Sequence, residues 1–510
     1  MAITKVYLLN VPLENDYKNT LYFTSKANQQ SYFQSRIVKS YTDFSYQRKD
    51  KLIRIPDIVD NIYNCNYVMY QNSAYSNKWF YAFITKMEYI NDGRTDVYIE
   101  TDVMQTWCFD YTVKPSFVER EHVSDDTVGL HTVPEGVELG EYISNGFERD
   151  NELSQLCYII QVTEWVTEGQ SKPIATNFGG VYAPGGAYVC TSATEVANII
   201  QAYQNGRGDA VTNVYVVPLK ITARTPGQLQ YPGQADPITY TKSVAKQTTL
   251  NGYTPTNKKL LTYPYNYLIL DNNNGTSNIL QYENFSTDDC QFEIAGVPTV
   301  GGSIKIAPLN YKGADRFQNE GIMAGKFPTC GWVNDTYTNW LTQNAVNIGL
   351  GVVSSGLTIV GGIGMMATGA GAVAGGGAVV SGAMGIAQSV GQVYEHSILP
   401  NSAKGNINGG DINTCYDMNK FYFIKMSIKS EYAQIIDKYF DMFGYKVNMV
   451  KTPNKAHRSR YWYTKTINVN IDGAIPNDDM QKIKNAYDNG ITFWRNASEI
   501  ENYNLSNAIV

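Results

Sequence analysis

The chain has 510 residues and a formal net charge of −6. Proteins that bind the nucleic-acid backbone without regard to sequence are normally basic, so this charge argues against such a function. Hydrophobic residues make up 43% of the chain, which excludes a disordered chain, and the length predicts two to four domains. The seven cysteines are scattered and never in C-x-x-C spacing, so neither a disulfide framework nor a zinc site is predicted. The first residues show no pattern of a signal peptide, and we expect assembly in a reducing cytoplasm.

The N-terminal part, residues 1–125, has the pattern of a β-rich domain. Residues 81–90 form an extended apolar and aromatic run, and residues 95–100 alternate between apolar and polar side chains. Between these runs lie Asn91, Asp92 and Gly93, which tolerate the positive φ of a tight turn. The two runs are therefore predicted to pair as a hairpin.

Residues 126–326 are predicted to form a second β-rich region. Runs typical of strands are separated by Pro-Gly pairs at residues 184–185, 226–227 and 232–233. Proline and glycine favour turns, so short strands joined by tight connections are expected here.

An uncharged segment dominates residues 327–403. No charged residue occurs between Asp335 and Glu395, and the stretch from Asn344 to Val393 is apolar and rich in glycine and alanine. Each half of the stretch is long enough, or nearly so, to cross the ~30 Å hydrocarbon layer of a membrane as a helix, with the glycine-rich centre as the bend. The residues predicted to contact lipid are Ile348, Leu350, Val352, Val353, Leu357, Ile359, Val360, Ile363, Met365, Met366, Val373, Val379, Val380 and Ile386.

Three interpretations of this segment compete. Small residues would let two permanent membrane helices pack closely, but basic flanks that would set their orientation are missing. A buried core helix is disfavoured, because each glycine in a helix interior costs about 0.5–1 kcal/mol. A segment that is sheltered in one state and inserted into lipid in another fits both the length and the weak intrinsic structure. We favour this third interpretation.

The C-terminal part, residues 404–510, is predicted to be α+β. A strand at 421–429 precedes a helix that begins at Ser430 and ends before Gly444. Strands at 445–450 and 461–470, a helix at 477–489 and a strand at 491–494 complete the order β-α-β-β-α-β. This order is that of a split βαβ unit. The expected fold class of the chain is therefore mainly β with an α+β C-terminal part.

Signs of catalysis are missing from the sequence. The four histidines, His122, His131, His396 and His457, fall in no metal-binding or catalytic motif, and neither a phosphate-binding loop nor a nucleophile elbow is present. Two loose glycine patterns within the uncharged segment lack the βαβ context of a dinucleotide site. We predict that the protein is not an enzyme and holds no cofactor or metal.

Several collinear motifs carry a resemblance to a known family. They are residues 15–20 (NDYKNT), 23–25 (FTS), 28–29 (NQ), 75–83 (YSNKWFYAF), 102–107 (DVMQTW), 120–123 (REHV), 443–448 (FGYKVN) and 488–492 (DNGIT). In this order they resemble the tail knob proteins of phi29-like podoviruses. The resemblance covers roughly residues 10–125 and 325–495, and an apolar loop lies in the corresponding place.

The resemblance implies a homohexameric tube at the tip of a short phage tail. It implies that residues 1–125 and 404–510 form a tube domain, that residues 126–326 form a distal knob, and that residues 327–403 form the membrane-penetrating loop. Six such loops would plug the lumen and later form a channel in the host cytoplasmic membrane while double-stranded DNA passes. The implied partners are five further copies, the upper tail (lower collar) protein, the DNA and that membrane.

The predicted loop between residues 450 and 461 is rich in basic residues. Lys451, Lys455, Arg458 and Arg460 lie between two predicted strands. They are candidate contacts to DNA or to a tail partner, although a solvated hairpin loop is the simpler interpretation.

The alternative function is a receptor-binding or cell-wall-degrading tail component that acts through residues 150–325.

Overall fold

The computed structural model describes residues 3–47, 50–72, 76–167, 170–173, 177–178, 181–182, 186–204, 210–222, 226, 229–230, 238–273, 275–296, 298, 302–313, 321–323, 329–330, 332–333, 403–404 and 421–510. The chain divides into two compact units. Unit 1 contains residues 1–140, 252–260 and 430–510, and unit 2 contains residues 141–251 and 261–429. Each unit is therefore built from segments that are distant in the sequence.

Strands dominate the N-terminal part of the chain. Its elements are β1 (Ile3–Leu9), β2 (Asn19–Leu21), α1 (Lys26–Gln34), β3 (Ile37–Tyr41), β4 (Ser45–Gln47), β5 (Leu52–Ile55), β6 (Tyr67–Asn72), β7 (Lys78–Asn91), β8 (Arg94–Thr101), α2 (Val103–Trp107), β9 (Tyr111–Val113) and β10 (Ser116–Glu121).

The middle of the chain contributes shorter strands and one helix. They are β11 (Tyr142–Arg149), β12 (Leu156–Val162), β13 (Glu164–Thr167), β14 (Gln170–Pro173), β15 (Asn177–Phe178), β16 (Val181–Tyr182), β17 (Gly186–Cys190), α3 (Ala193–Gln204), β18 (Val211–Pro218), β19 (Leu229–Gln230), β20 (Ile238–Ala245), β21 (Asn266–Asp271), β22 (Ser277–Leu280), β23 (Asp289–Gly296), β24 (Ile304–Leu309), β25 (Ile322–Met323), β26 (Thr329–Cys330), β27 (Trp332–Val333) and β28 (Ala403–Lys404).

The C-terminal part alternates strands and helices. Its elements are β29 (Tyr422–Ile428), α4 (Ser430–Phe443), β30 (Tyr445–Lys451), β31 (Tyr461–Ile467), β32 (Ile471–Gly473), α5 (Asn477–Asn489) and β33 (Ile491–Trp494). The prediction of a mainly β chain is confirmed.

Unit 1 contains two large sheets. One has seven strands in the order β3-β1-β6-β7-β8-β5-β4, and the other has five in the order β2-β33-β31-β10-β30. Helix α5 buries Ile483, Ala486 and Tyr487, which join the same apolar core as Val103 and Trp107 of α2. Their spacing along α5 places these side chains on one face of the helix. Residues from both ends of the sequence thus share one core.

The predicted hairpin at the N-terminal part is confirmed. Strand β7 pairs antiparallel with β8, and Asn91 lies opposite Arg94. Asp92 and Gly93 fill the turn, and the side chain of Asn91 accepts a hydrogen bond from the backbone N–H of Gly93 over 3.0 Å. The turn is therefore closed by this side-chain hydrogen bond, and none of residues 91–93 has the positive φ on which the prediction was based.

The predicted elements of the C-terminal part occur in the predicted order, with one additional short strand, β32, but the split βαβ topology is wrong. Strand β29 pairs with β11 and β21 in a different sheet from β30, β31 and β33. Between β30 and β31 lies β10, which is antiparallel to both. The strand at residues 116–121 therefore lies where the split βαβ interpretation placed a C-terminal strand, because a strand from elsewhere in the chain can form the same antiparallel hydrogen bonds.

Unit 2 has three larger sheets. Their orders are β19-β17-β12-β18-β26, β11-β29-β21-β22 and β20-β23-β24-β25. Side chains from all three, including Ile159, Leu268, Phe423 and Ile294, form one buried apolar core. Helix α3 covers a second, smaller core through Val196 and Tyr203. The three larger sheets of unit 2 therefore share one apolar core.

The unit bounds differ from the expected domain bounds at residues 126–140 and 252–260, which belong to unit 1, and at residues 421–429, which belong to unit 2. The reason for the first two differences is a set of buried hydrogen bonds described below. Over the part of the chain that the structure describes, no helix is both long and apolar enough to cross a bilayer.

Candidate functional site

The uncharged segment leaves unit 2 and returns to it at one short ladder. In β27, Val333 lies opposite Ala403, and Trp332 lies opposite Lys404. The residues between them include every residue predicted to contact lipid, from Ile348 to Ile386, and these lie outside the described residues. Both ends of the segment are therefore held at the same place.

Strand pairing continues on both sides of this ladder. Before it, Cys330 of β26 lies opposite Val214 of β18, which is part of the five-stranded sheet. After it, the chain enters β29, whose Phe423 is fully buried and lies 4.8 Å from the ring of Phe292. The uncharged segment is thus inserted between two elements that belong to the core of unit 2.

The predicted basic loop connects β30 to β31, and two of its side chains form ion pairs. Lys451 lies 2.6 Å from Glu121, whose side chain is 1% exposed, and Arg460 pairs with Glu499. Lys455 is exposed to solvent.

Arg458 of the same loop is buried at 9% exposure. Its guanidinium donates to the carbonyl oxygens of Val123 over 3.0 Å and Asn507 over 3.3 Å. Three of the four basic residues therefore serve contacts within unit 1.

A buried carboxylate that was not predicted from the sequence lies beside β30, the strand that precedes this loop. Glu135 has a fully buried side chain and forms ion pairs with Arg120 and Lys259. It also accepts a hydrogen bond from the backbone N–H of Lys446 over 3.0 Å. Burial lowers the pKa of Lys259, and Glu135 acts against that effect. This cluster joins three segments whose association no local sequence pattern indicates.

A second buried carboxylate holds residues 252–260. Asp437 of α4 is 1% exposed and accepts hydrogen bonds from the Tyr253 hydroxyl and the Thr256 backbone N–H, each over 2.7 Å. The backbone N–H of Asn257 donates to it over 3.0 Å. These bonds explain why a short segment between two stretches of unit 2 belongs to unit 1.

His122 has a structural role, with both ring nitrogens in hydrogen bonds. The Nδ1 of buried His122 accepts a hydrogen bond from the Tyr463 backbone N–H over 2.7 Å, so Nε2 donates to the Asp441 carbonyl oxygen over 3.0 Å. Burial and the nearby Arg458 lower the pKa of His122 to about 3. This imidazole is therefore neutral at physiological pH and has both nitrogens engaged.

Two adjacent acids also have structural roles. Asp478 and Asp479 lie in the first turn of α5, and Asp479 accepts from the Trp107 indole N–H over 2.9 Å. Asp126 accepts from the Tyr445 hydroxyl over 2.6 Å. Within the described ranges, no group of three or more His, Cys, Asp and Glu side chains could hold a metal ion.

Comparison with known proteins matches both ends of the chain. The family model described as the C-terminal domain of Bacillus phage phi29 tail knob protein gp9 matches residues 232–508. The model of the caudoviral major tail protein N-terminus matches residues 3–112. Together the two cover most of unit 1 and the second half of unit 2.

Individual relatives are similar over nearly their whole length. The tail knob protein gp9 of Bacillus phage PZA is 27% identical, and that of Bacillus phage B103 is 26% identical, over 98% of this chain. The alignments cover 98% and 97% of those two proteins.

The solved structure of the bacteriophage C1 tail knob protein, gp12, aligns over 100% of its own chain with 99% of this chain. The TM-score is 0.67 at 16% sequence identity, which shows a shared fold. These relatives are structural components of phage tails. The chain belongs to the tail knob protein family of phi29-like phages.

Proposed function

We propose that six copies of the chain form a closed conduit for DNA ejection at the tip of the tail. The uncharged segments plug the lumen in the virion and then form a channel in the host cytoplasmic membrane. The observation that carries this proposal is the ladder between Val333 and Ala403, which makes the whole uncharged segment a single excursion from unit 2.

An excursion of this kind suits a segment with two states. Its ends are held together by β27 and β28, so the segment can move without separating the strands of the larger sheets. In lipid, its backbone groups must satisfy their hydrogen bonds within a helix or a closed barrel. Its lack of charge between Asp335 and Glu395 removes the main cost of that transfer.

The charge of the chain supports passage of DNA. Each copy carries a formal charge of −6, so a ring of six would be strongly acidic. An acidic wall repels phosphates, whereas a basic wall would bind the DNA and slow it. Lys455 is exposed and remains the candidate contact to DNA or to the upper tail protein.

The membrane function is tested by placing three carboxylates in the segment. The triple variant Val353→Asp, Ile359→Asp, Ile363→Asp is expected to assemble but to lose permeabilisation of liposomes. Each charge at the centre of a bilayer costs about 2.5–3.5 kcal/mol on insertion scales. The matched control replaces the same residues by alanine and should permeabilise liposomes. Dye release by the Asp variant at the wild-type rate would refute the membrane role.

The hexamer is tested separately by the mass of the purified assembly. Head-to-tail closure would give every copy the same two neighbours and leave no free end. A native mass of six chains is expected, and a stable monomer or trimer would contradict the ring.

A second candidate function is recognition of the host surface through unit 2. A cleft of about 540 Å³ is lined by Glu152, Gln155, Lys220, Thr239 and Tyr240, among others. Its charges already have partners, because Lys220 lies 2.9 Å from Glu152 and the Tyr240 hydroxyl donates to Asp150. This function is therefore the second candidate. Binding of the pure protein to the host surface would support recognition, and hydrolysis of cell-wall polymer would support degradation.

A further inference from the structure

The sheet β11-β29-β21-β22 of unit 2 has an apolar outer face. Phe423 of β29 is buried in the core of the unit, so the next residue along the strand lies on the opposite face. A row of four apolar side chains in register crosses that face: Phe147 of β11, Ile424 of β29, Ile269 of β21 and Ile279 of β22. An antiparallel sheet with one buried face normally presents polar side chains on the other. This row is therefore unexpected for a surface that meets only water.

A second four-stranded sheet of the same unit has the usual composition. The sheet β20-β23-β24-β25 buries Ile294 and Ile306 in the core. Its outer face carries one row in register that consists of Thr239, Ala295, Lys305 and Met323. In the next row, Thr241 lies opposite Glu293. Polar and charged side chains thus dominate this outer face, and the first sheet differs from it.

Both ends of the apolar row are exposed at the edges of the first sheet. Phe147 is 62% exposed and Ile279 is 51% exposed, whereas Ile269 and Ile424 at the centre are partly buried. Among the described strands, β11 and β22 each have a neighbour on one side only. Proteins protect such edges with charges, proline or bulges, but β22 carries neither a charge nor a proline and pairs with β21 without a bulge. This edge is therefore suited to pair with a further strand.

The two edges of the sheet are complementary in direction. Each of the four strands is antiparallel to the next, so β11 and β22 run in opposite directions. Strand β22 of one copy can therefore continue the sheet at β11 of another copy as an ordinary antiparallel pair. Ile279 would then lie opposite Phe147, and an aliphatic side chain opposite an aromatic ring stabilises such a pair.

The neighbouring rows of the two edges also match in charge. With Ile279 opposite Phe147, Ser277 of one copy lies opposite Arg149 of the other. Asp271 lies opposite Ser277 within its own chain, so the arginine of one copy approaches the aspartate of the other across a serine. No like charges meet in these two rows, whereas opposite charges at such positions are favourable.

The two edges cannot meet within one chain. Three strand spacings separate Phe147 from Ile279, which amounts to about 14 Å. A contact between two different edges is head-to-tail and closes when the copies form a ring. Strand β22 spans only about 14 Å, so the contact is smaller than the roughly 800 Å² that each partner buries in a specific interface. It therefore suits a ring, in which every copy is held on both sides, rather than an isolated pair of copies.

We propose that β22 of each copy pairs with β11 of the next copy, with Ile279 packed against Phe147. This inference deepens the ring of six proposed above and rests on it, because it names the surfaces that meet. The pairing covers both exposed ends of the apolar row and satisfies the backbone groups of both edges. The core of unit 2 is the same with or without the contact.

The contact is tested by a disulfide in the full-length assembled protein. In the double variant Phe147→Cys with Ile279→Cys, the new thiols can bond only between copies, because a disulfide needs a Cα separation of about 4.4–6.8 Å. Mild oxidation should link the chains into a ladder that ends at six on a denaturing gel without reductant. Each single variant should stay unlinked, and the wild type with its seven native cysteines sets the background.

The double variant Thr239→Cys with Met323→Cys is the matched control. These two residues end the row of the second sheet, lie equally far apart in register and are both exposed. No linked chains are expected from it. Linkage of the control to the same extent as the test variant would overturn the proposal.

The remaining outcomes separate this contact from the ring itself. Linked dimers from either single variant would show that like edges meet and would overturn the contact. A native mass of six chains without linkage in the double variant would also overturn it, while the ring would stand. A native mass of one chain would overturn both.

Two charged double variants give an independent readout. Phe147→Asp with Ile279→Lys places opposite charges on the paired edges, and Phe147→Lys with Ile279→Lys places like charges there. The protein concentration at which half of the rings dissociate should be at least about tenfold higher for the like-charge variant, since every contact in the ring changes. High salt should reduce the difference. Equal concentrations for the two variants at low salt would contradict the proposal.

Discussion

Asn257 donates its side-chain amide hydrogen to the carboxylate of Asp437 over 2.8 Å, across 180 residues of sequence. The same amide group donates to the Asp441 carboxylate over 2.7 Å, so one side chain bridges two successive turns of α4. Burial raises the pKa of Asp441 to about 6. The excursion of residues 252–260 into unit 1 thus combines polar contacts with α4 and the ion pair between Lys259 and Glu135.

Asp437→Ala should destabilise unit 1 by about 3 kcal/mol, because several donors lose their buried acceptor. The donors are the Tyr253 hydroxyl and the backbone N–H groups of Thr256 and Asn257. Urea unfolding measures the change. Lys438→Gln, an exposed substitution on the same helix, serves as control and should change the free energy by less than about 0.5 kcal/mol. Equal midpoints for the two variants would contradict the role of Asp437.

His122 should make the protein less stable as the pH falls from about 6.5 towards 3. Its pKa is lowered from 6.5 to about 3 in the folded state, so the unfolded chain binds the extra proton in this range and is favoured. Asp102 and Asp441, whose pKa values burial raises to about 6, have the opposite effect.

The comparison of wild type with His122→Gln isolates the histidine, since glutamine can accept from Tyr463 and donate to Asp441. The difference in free energy of unfolding should change by up to about 1.4 kcal/mol per pH unit. Parallel pH profiles of the two proteins would show that His122 is not the titrating group.

Gly444→Ala should be much more destabilising than Gly252→Ala. Both glycines have positive φ, 63° and 82°, which costs a non-glycine residue about 1–2 kcal/mol. An added Cβ at Gly444 would also lie 2.1 Å from the backbone oxygen of Glu121, whereas at Gly252 nothing lies within 4 Å. Thermal unfolding of both variants gives the comparison, and similar melting temperatures would contradict it.

The basic loop should separate into structural and surface residues. Arg458→Ala should lower the stability of unit 1, because the buried guanidinium holds the carbonyl oxygens of Val123 and Asn507. Lys455→Glu should leave stability unchanged, since Lys455 is exposed. If Lys455 contacts DNA, this variant alone should also weaken retention of DNA fragments by the assembled protein in low salt. Unchanged retention would remove the loop from the DNA path.

Local signals could be predicted from the sequence. The turn at Asp92 and Gly93 and the end of α4 before Gly444 depend on residues next to one another, and both were predicted correctly. The family was recognisable for a related reason, because its motifs are short runs of adjacent residues. The uncharged segment stands out by composition alone and remains a prediction.

Long-range pairing could not be predicted in the same way. Strand β10 lies between β30 and β31 in the sheet, although more than 300 residues of chain separate β10 from β30. Glu135, Arg120 and Lys259 look like ordinary surface charges in the sequence, and only the fold shows that they are buried together. Such contacts depend on which distant segments meet, and a single sequence carries no local signal of that choice.

The pairing of Val333 with Ala403 also makes the region between them exchangeable. A block of sequence of different length or composition could be grafted between these two residues while the remaining strands keep their neighbours. A designer could therefore install a separate folded module, such as a sensor, at this junction without redesigning the larger sheets of unit 2.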